Sequence, residues 1–171
     1  VLDQIKDLES KGYQYDGAEA SFELLIHRTE PGYNPPFELV DFMVVVENRR
    51  RAPSSGDGEV LAEAMVKVKV GNELVHTAAE GNGPVNALDS ALRQALLRFY
   101  PRLQAVKLVD YKVRILEGTA GTASQVRVLI ESSDGGEEWR TVGSSSNIIE
   151  ASWHALVDSL EYWLWKRVAK L

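Results

Sequence analysis

Glu80-Gly81-Asn82-Gly83-Pro84-Val85 reads as the end of a strand, a glycine turn and the start of a helix, and Ser144-Ser145-Ser146-Asn147-Ile148-Ile149 is its degenerate copy. Glycine on either side of Asn82 admits backbone angles closed to other residues, and Pro84 suits a first helical position because its missing N–H would be unpaired there anyway. Each turn would aim free helix-start N–H groups at whatever lies before it.

Outward from the first turn, Val85, Leu88, Leu92, Ala95, Leu96 and Phe99 repeat at helical spacing until Pro101 ends the helix. Before it the period is two. Residues 37–47 form a Val- and Phe-rich strand, and residues 61–70 a second, with Ala64, Val66, Val68 and Val70 on one face and Glu63, Lys67 and Lys69 on the other. Gly71-Asn72 makes a hairpin into a third strand, residues 74–79.

The order then starts again. Leu39-Val40-Asp41-Phe42 returns as Leu108-Val109-Asp110-Tyr111, 69 residues on, and Val66-Lys67-Val68 as Val126-Arg127-Val128, 60 on. From Val75 and Trp139 onward the offset is 64, so Thr77 matches Thr141, Ala87 matches Ala151 and Leu92 matches Leu156. These offsets make the first inter-strand loop nine residues longer and the second hairpin four longer. The expected fold is α+β: a duplicated β-β-β-α unit with pseudo-twofold symmetry, repeat one about 37–101 and repeat two about 105–167. Before it, residues 1–36 hold two short helices and a Pro-rich linker. Leu2, Ile5 and Leu8 mark the first helix; Asp16 and Glu19 read as a capping box for the second, with Ala18, Phe22, Leu25 and Ile26 as its apolar stripe. Two such helices make no core of their own, so residues 1 to about 30 read as the end of a preceding region.

At 171 residues and 44% hydrophobic content, one ordinary core is affordable. The absence of cysteine excludes disulfides and thiolate nucleophiles and fits a reducing cytoplasm. No apolar run approaches the roughly twenty residues of a membrane span. A net charge of −6 argues against nucleic acid, and Asn48-Arg49-Arg50-Arg51, the one basic cluster, falls in a loop. Trp153, Tyr162, Trp163 and Trp165 share the last helix, too many for one stripe, so one of them half-faces solvent or meets the N-terminal helices or a second subunit.

No catalytic set is visible. His27, His76 and His154 lie on different elements without metal-ligand spacing. His154, four residues from both Glu150 and Asp158, reads as a surface ion-pair ladder, and Asp134, Glu137 and Glu138 as solvated acids at a hairpin tip. The turn at Gly81–Gly83 is open to three readings: a plain helix cap, a phosphate cradle, or the seat of a small acidic effector. Phosphate is disfavoured because Asn86 stands where the dinucleotide fingerprint has a third glycine and no Gly-Lys-Ser/Thr follows. Duplication favours the effector: two related turns offer N–H donors to a carboxylate, and carbonyls with Asn82 or Asn147 to an ammonium. Tyr111, Val113 and Ile115 on one strand face suit an aliphatic amino acid.

Gly81-Asn82-Gly83, Leu108-Val109-Asp110-Tyr111-Lys112-Val113-Arg114 and Ser146-Asn147-Ile148-Ile149-Glu150-Ala151-Ser152-Trp153-His154-Ala155-Leu156 together resemble the C-terminal regulatory domain of the 2-isopropylmalate synthase and citramalate synthase family, over about residues 37–167. Gly12-Tyr13 and Ala18-Glu19-Ala20-Ser21-Phe22-Glu23-Leu24-Leu25 are similar to the linker subdomain of the citramalate synthase branch. The resemblance implies a homodimer that binds a feedback inhibitor at its interface, isoleucine in this branch and leucine in the other. It implies that Gly81, Asn82, Gly83, Pro84 and Val85 hold the polar end, that Leu108, Tyr111 and Ile115 line the side-chain pocket, and that Ala123 with Ser146 and Asn147 closes it. Leu108 has the opposite strand parity to Tyr111 and Ile115, so it must precede the regular strand or sit at a bulge. The second turn lacks glycine, which suits a supporting role. The resemblance assigns acetyl-CoA condensation with pyruvate or another 2-oxo acid, and its divalent metal, to a TIM barrel outside this chain; the fragment itself would hold no catalytic residue, metal or cofactor.

Overall fold

The computed structural model describes residues 2–47, 61–116 and 123–168; Asn48-Arg49-Arg50-Arg51 and the rest of the first inter-strand loop lie outside them. The elements in chain order are helices α1 (Leu2–Ser10) and α2 (Glu19–His27), strands β1 (Glu38–Glu47), β2 (Leu61–Val70) and β3 (Glu73–Gly81), helix α3 (Pro84–Leu97), a 3-10 turn (Pro101–Ala105), strands β4 (Lys107–Leu116), β5 (Gln125–Ser133) and β6 (Glu138–Ser145), and helix α4 (Ile148–Val168). The duplicated β-β-β-α plan is therefore the observed one. The two antiparallel sheets run β1-β2-β3 and β4-β5-β6. The chain divides into two compact units, residues 37–103 and residues 1–36 with 104–171.

Equivalent atoms confirm the repeat. Thr77 Oγ1 donates to Ala91 O (2.7 Å) and Thr141 Oγ1 to Ala155 O (2.8 Å), so the same hydroxyl ties strand to helix in both copies, 64 residues apart. The ladders correct one offset. Val66 pairs with Thr77 and Ile130 with Thr141, so β2 and β5 are also 64 apart, not 60. The two hairpins are then equally long, turning at Gly71 (φ 58°) and Gly135 (φ 88°). Glu47 pairs with Leu61 and Leu116 with Gln125, which leaves the first loop five residues longer rather than nine.

In the unit of residues 37–103, the buried face of β2 (Ala62, Ala64, Val66, Val68 and Val70) meets Ala87, Leu88, Ala91, Leu92, Ala95 and Leu96 of α3. Fully burying a Leu or Val side chain contributes about 1.5–3 kcal/mol, so these alternating rows are the main stabilising term. In the other unit α4 packs on β5 and β6 through Leu156, Leu160, Trp163 and Leu164, while α2 packs on both α4 and β6. Helix α4 is therefore covered on two sides, and that accommodates its aromatic residues. Trp153 and Trp163 are buried, and Trp165 stacks on His27 of α2 with ring centroids 4.1 Å apart.

Three local expectations are revised. The N-cap of α2 is Ala18, with no side-chain cap, so Asp16 and Glu19 form no capping box. Its buried face is Ala20, Ser21 and Leu24, while Ile26 is exposed. The edge of β6 dictates that face, because the Val142 N–H donates to Ser21 Oγ at 3.0 Å and needs an acceptor there. Asp134 is not a solvated tip acid. Its carboxylate accepts from the N–H groups of Gly136 and Glu137 and from Trp163 Nε1, and faces Arg167. Donation from the Glu137 amide and then from Trp163 holds its pKa down at about 2.

Candidate functional site

The residues expected to hold an effector divide between the two units: Gly81, Asn82, Gly83, Pro84 and Val85 in one, and Leu108, Tyr111, Ile115, Ala123, Ser146 and Asn147 in the other. At the first turn, α3 starts at Pro84 after an N-cap Gly83 that provides no side-chain cap. The first backbone bond runs from Ala87 N to Gly83 O (3.0 Å), which leaves the N–H groups of Val85 and Asn86 without an intrahelical partner. Asn86 Oδ1 reaches back to accept the Asn82 N–H at 3.2 Å and fixes the turn.

The glycines here serve another purpose than expected. Neither adopts a positive φ, and Gly83 is extended at φ −167°, ψ 171°. Gly81 is required by proximity: a Cβ there would lie 2.4 Å from Ala87 N, whereas one on Gly83 would meet open space. Gly81 thus lets the strand end touch the helix, and Gly83 keeps the space before the free N–H groups clear.

The second turn is satisfied by its own side chains. Asn147 Oδ1 accepts from the N–H groups of Ile149 (2.8 Å) and Glu150 (3.3 Å), Ser145 Oγ accepts from Asn147 N, and Ser145 donates to Glu150 at 2.5 Å. Asn147 Oδ1 and these helix-start donors are therefore already engaged, although Ser146 and Asn147 are exposed. Neither acid of the expected His154 ladder bonds it: Glu150 turns to Ser145, Asp158 to Arg28 and Ser21, and His154 Nδ1 meets Tyr13 Oη at 3.2 Å.

On β4 the ladder shifts register between Leu108 and Asp110. Leu108 then faces Ser132 and Tyr111 faces Ile130, and both partners belong to the helix-covered face of β5, so the bulge brings Leu108, Tyr111, Val113 and Ile115 to one face. Leu39 and Asp41 of β1 carry the same shift. Helix α4 lies over β5 and β6 and leaves this face of β4 open, with Val113 42% and Ile115 63% exposed. Tyr111 marks the boundary: Ser152 already donates to Ile148 O, so Tyr111 Oη donates to Ser152 Oγ at 2.8 Å. Ser152 had no sequence signal, because a serine bonded back to its own helix looks like any other. Beside Tyr111, a bond from Lys112 holds the Asp110 carboxyl below its usual range. Ala123 is exposed.

Among the described residues no group of three or more His, Cys, Asp or Glu could hold a metal ion, and no helix is long and apolar enough to cross a membrane. In its own unit the uncapped start of α3 can accept a carboxylate, and in its own unit the open face of β4 can receive an apolar side chain; neither offers a nucleophile or a base.

Residues 16–164 match the family described as the LeuA allosteric (dimerisation) domain. The chain is 55% identical to the (R)-citramalate synthase of Geobacter sulfurreducens over 97% of its own length and 30% of that protein, and 49% identical to that of Aquifex aeolicus over the same shares. It is 30% identical to the 2-isopropylmalate synthase of Methanocaldococcus jannaschii over 72% of its length and 22% of that protein. The chain thus spans under a third of the length of these relatives. With its fold, its paired turns and this match over most of its length, the chain belongs to the LeuA allosteric (dimerisation) domain family.

Proposed function

We propose that this chain is the feedback-sensing domain of a citramalate synthase, that it binds isoleucine, and that a second copy of the chain pairs with it at the binding site. The observation that carries this reading is the match of residues 16–164 to the LeuA allosteric (dimerisation) domain family, and each unit adds a feature of its own: an uncapped α3 start in one, an open apolar face of β4 in the other. Each within its own unit, the N–H groups of Val85 and Asn86 are suited to an effector carboxylate, and Leu108, Tyr111 and Ile115 to an aliphatic side chain. Burying a branched aliphatic side chain contributes about 2–3 kcal/mol and a helix dipole only about 0.3–1 kcal/mol, so the apolar contact sets affinity and the turn sets orientation. Asn147 and its neighbours support the second helix without touching the ligand.

The parent enzyme would condense acetyl-CoA with pyruvate, and its divalent metal and acetyl-CoA site are assigned to a catalytic region outside this chain. The similarity to a 2-isopropylmalate synthase keeps leucine as the second reading, because isomeric side chains are separated by shape alone. Isothermal titration with both amino acids tests the proposal. Isoleucine should bind, and Tyr111→Ala should weaken it about tenfold or more; preference for leucine would move the chain to the second reading. No heat with either amino acid would leave a dimerisation module without an effector.

A further inference from the structure

Helix α4 makes polar contacts along its length, from the β4 face near its start to the N-terminal segment. It is 21 residues long, about 30 Å from end to end. Near its start Ser152 accepts the Tyr111 hydroxyl of the open β4 face. Further along, it grips the segment that carries α1 and α2. His154 meets Tyr13, Asp158 accepts from Ser21 Oγ (2.7 Å) and Arg28 (2.8 Å), Glu161 accepts from Arg28 Nε (3.2 Å), Arg28 Nη2 (2.5 Å) and Tyr33 Oη, and Lys166 pairs with Glu23 at 2.6 Å.

The centre of this grip is one guanidinium shared by two carboxylates, of which Glu161 is buried and the Asp158 side chain is only 13% exposed. Burial opposes the Arg28 charge, but Asp158 and Glu161 together hold it protonated more firmly than usual. Burial also pushes the Asp158 carboxyl up, so the pair of acids depends on that one cation. Burial and the bond to Glu161 raise the Tyr33 hydroxyl to about 12, which keeps it a donor. A planar fork bonded to acids on successive helical turns resists sliding as well as separation. Breaking a buried pair by removing one partner is strongly destabilising, so a modest displacement of α4 would carry α2 along rather than slip past it.

Resting on the effector reading above, we propose that the Arg28–Asp158–Glu161 clasp is the output joint of the domain: α4 takes up effector binding at Tyr111 and Ser152 and delivers it through Arg28 to the N-terminal helices. Arg28 is a positioning residue, remote from the ligand. Allosteric couplings typically amount to about 5- to 150-fold in affinity, and this is the signal the clasp has to pass.

The test uses the full-length protein that carries this domain, with isoleucine as the probe. In Arg28→Met, isoleucine should still bind within about threefold of the unaltered protein and condensation without isoleucine should be unchanged, while the concentration for half inhibition rises at least tenfold. Arg28→Lys, which restores the charge without the fork, should recover part of the inhibition. Tyr33→Phe removes one hydroxyl from Glu161, survives any folding defect of the Arg28 variants, and should raise half inhibition about two- to fivefold. Unchanged inhibition in Arg28→Met or in Tyr33→Phe, with binding intact, overturns the clasp alone. Failure of the unaltered protein to bind isoleucine overturns the effector reading and the clasp with it.

Discussion

Helices α3 and α4 begin at the same point of the same β-β-β-α plan, yet their first N–H groups have different partners. In α4, Asn147 caps Ile149 and Glu150, and Ser145 and Glu150 complete a closed set of side-chain bonds. In α3, Gly83 supplies nothing and the groups of Val85 and Asn86 stay open. The strand edges differ as well. Val142 of β6 is fully buried and bonded to Ser21 of α2, whereas Ala78, its counterpart on β3, is exposed. One copy has therefore spent its polar groups on holding the N-terminal helices and its own cap, while the other keeps donors in reserve. Duplication permits this division, because both copies keep the apolar rows beneath the helix and the strand–helix hydroxyl bonds of Thr77 and Thr141 whatever happens at the turns.

The largest expected effect lies at glycines that the copies do not share, Gly143 standing opposite Ala79 and Gly81 opposite Ser145. A Cβ on Gly143 would stand 1.9 Å from Ala151 O, so Gly143→Ala must part β6 from α4 and should cost about 3 kcal/mol or more in urea unfolding. Gly81→Ala should cost less, because its nearest clash, Ala87 N at 2.4 Å, is milder. Gly83→Ala, with open space around it, should cost no more than about 1 kcal/mol, the exchange of a tolerable N-cap for a poor one. A large loss in Gly83→Ala would mean that its role is structural rather than one of keeping space clear.

Next comes the hairpin acid peculiar to the second copy. Asp134→Ala leaves two amides and the Trp163 N–H short of an acceptor, and should cost about 2 kcal/mol. The folded pKa of Asp134 lies below the unfolded value, so its contribution is fully present above about pH 4 and is lost as pH falls toward 2. Screening by nearby solvent limits that contribution to about 1 kcal/mol. Unfolding free energies measured from pH 5 to pH 2 should therefore fall less steeply in Asp134→Ala than in the unaltered chain.

A smaller effect follows from exchanging the caps. Asn147→Ala should cost about 1 kcal/mol and leave isoleucine affinity unchanged. Gly83→Asn should gain only a few tenths of a kcal/mol, because glycine is itself a tolerable N-cap, while weakening isoleucine about tenfold by occupying the same N–H groups. Calorimetry on the two variants separates the roles.

Much of this fold was legible because the repeat is carried by face-alternating strands and an evenly spaced helix stripe. The same alternation caused the slip at β5. In an alternating strand, Val126-Arg127-Val128 can stand for Ile130-Glu131-Ser132 with no change of face, and only the ladder decides between them. Leu108 was legible as a parity conflict, and the bulge resolved it. The clasp was not, because Arg28 and its acids are more than 125 residues apart and no local pattern links them. The buried face of α2 was misread because nine residues give a weak period and the deciding contact is a serine bonded to a strand edge. At the candidate site the residue types pointed to a turn and an apolar face, but the loss of Asn147 to its own helix shows only in hydrogen-bond geometry.

The most direct test follows backbone amides by 15N NMR while isoleucine is titrated into the domain. The Val85 and Asn86 amide protons should move downfield as they gain a carboxylate, and those of Ile149 and Glu150, already capped by Asn147, should stay nearly still. Shifts confined to Ile149 and Glu150, or binding that leaves all four unmoved, would contradict the assignment of the effector to the open turn.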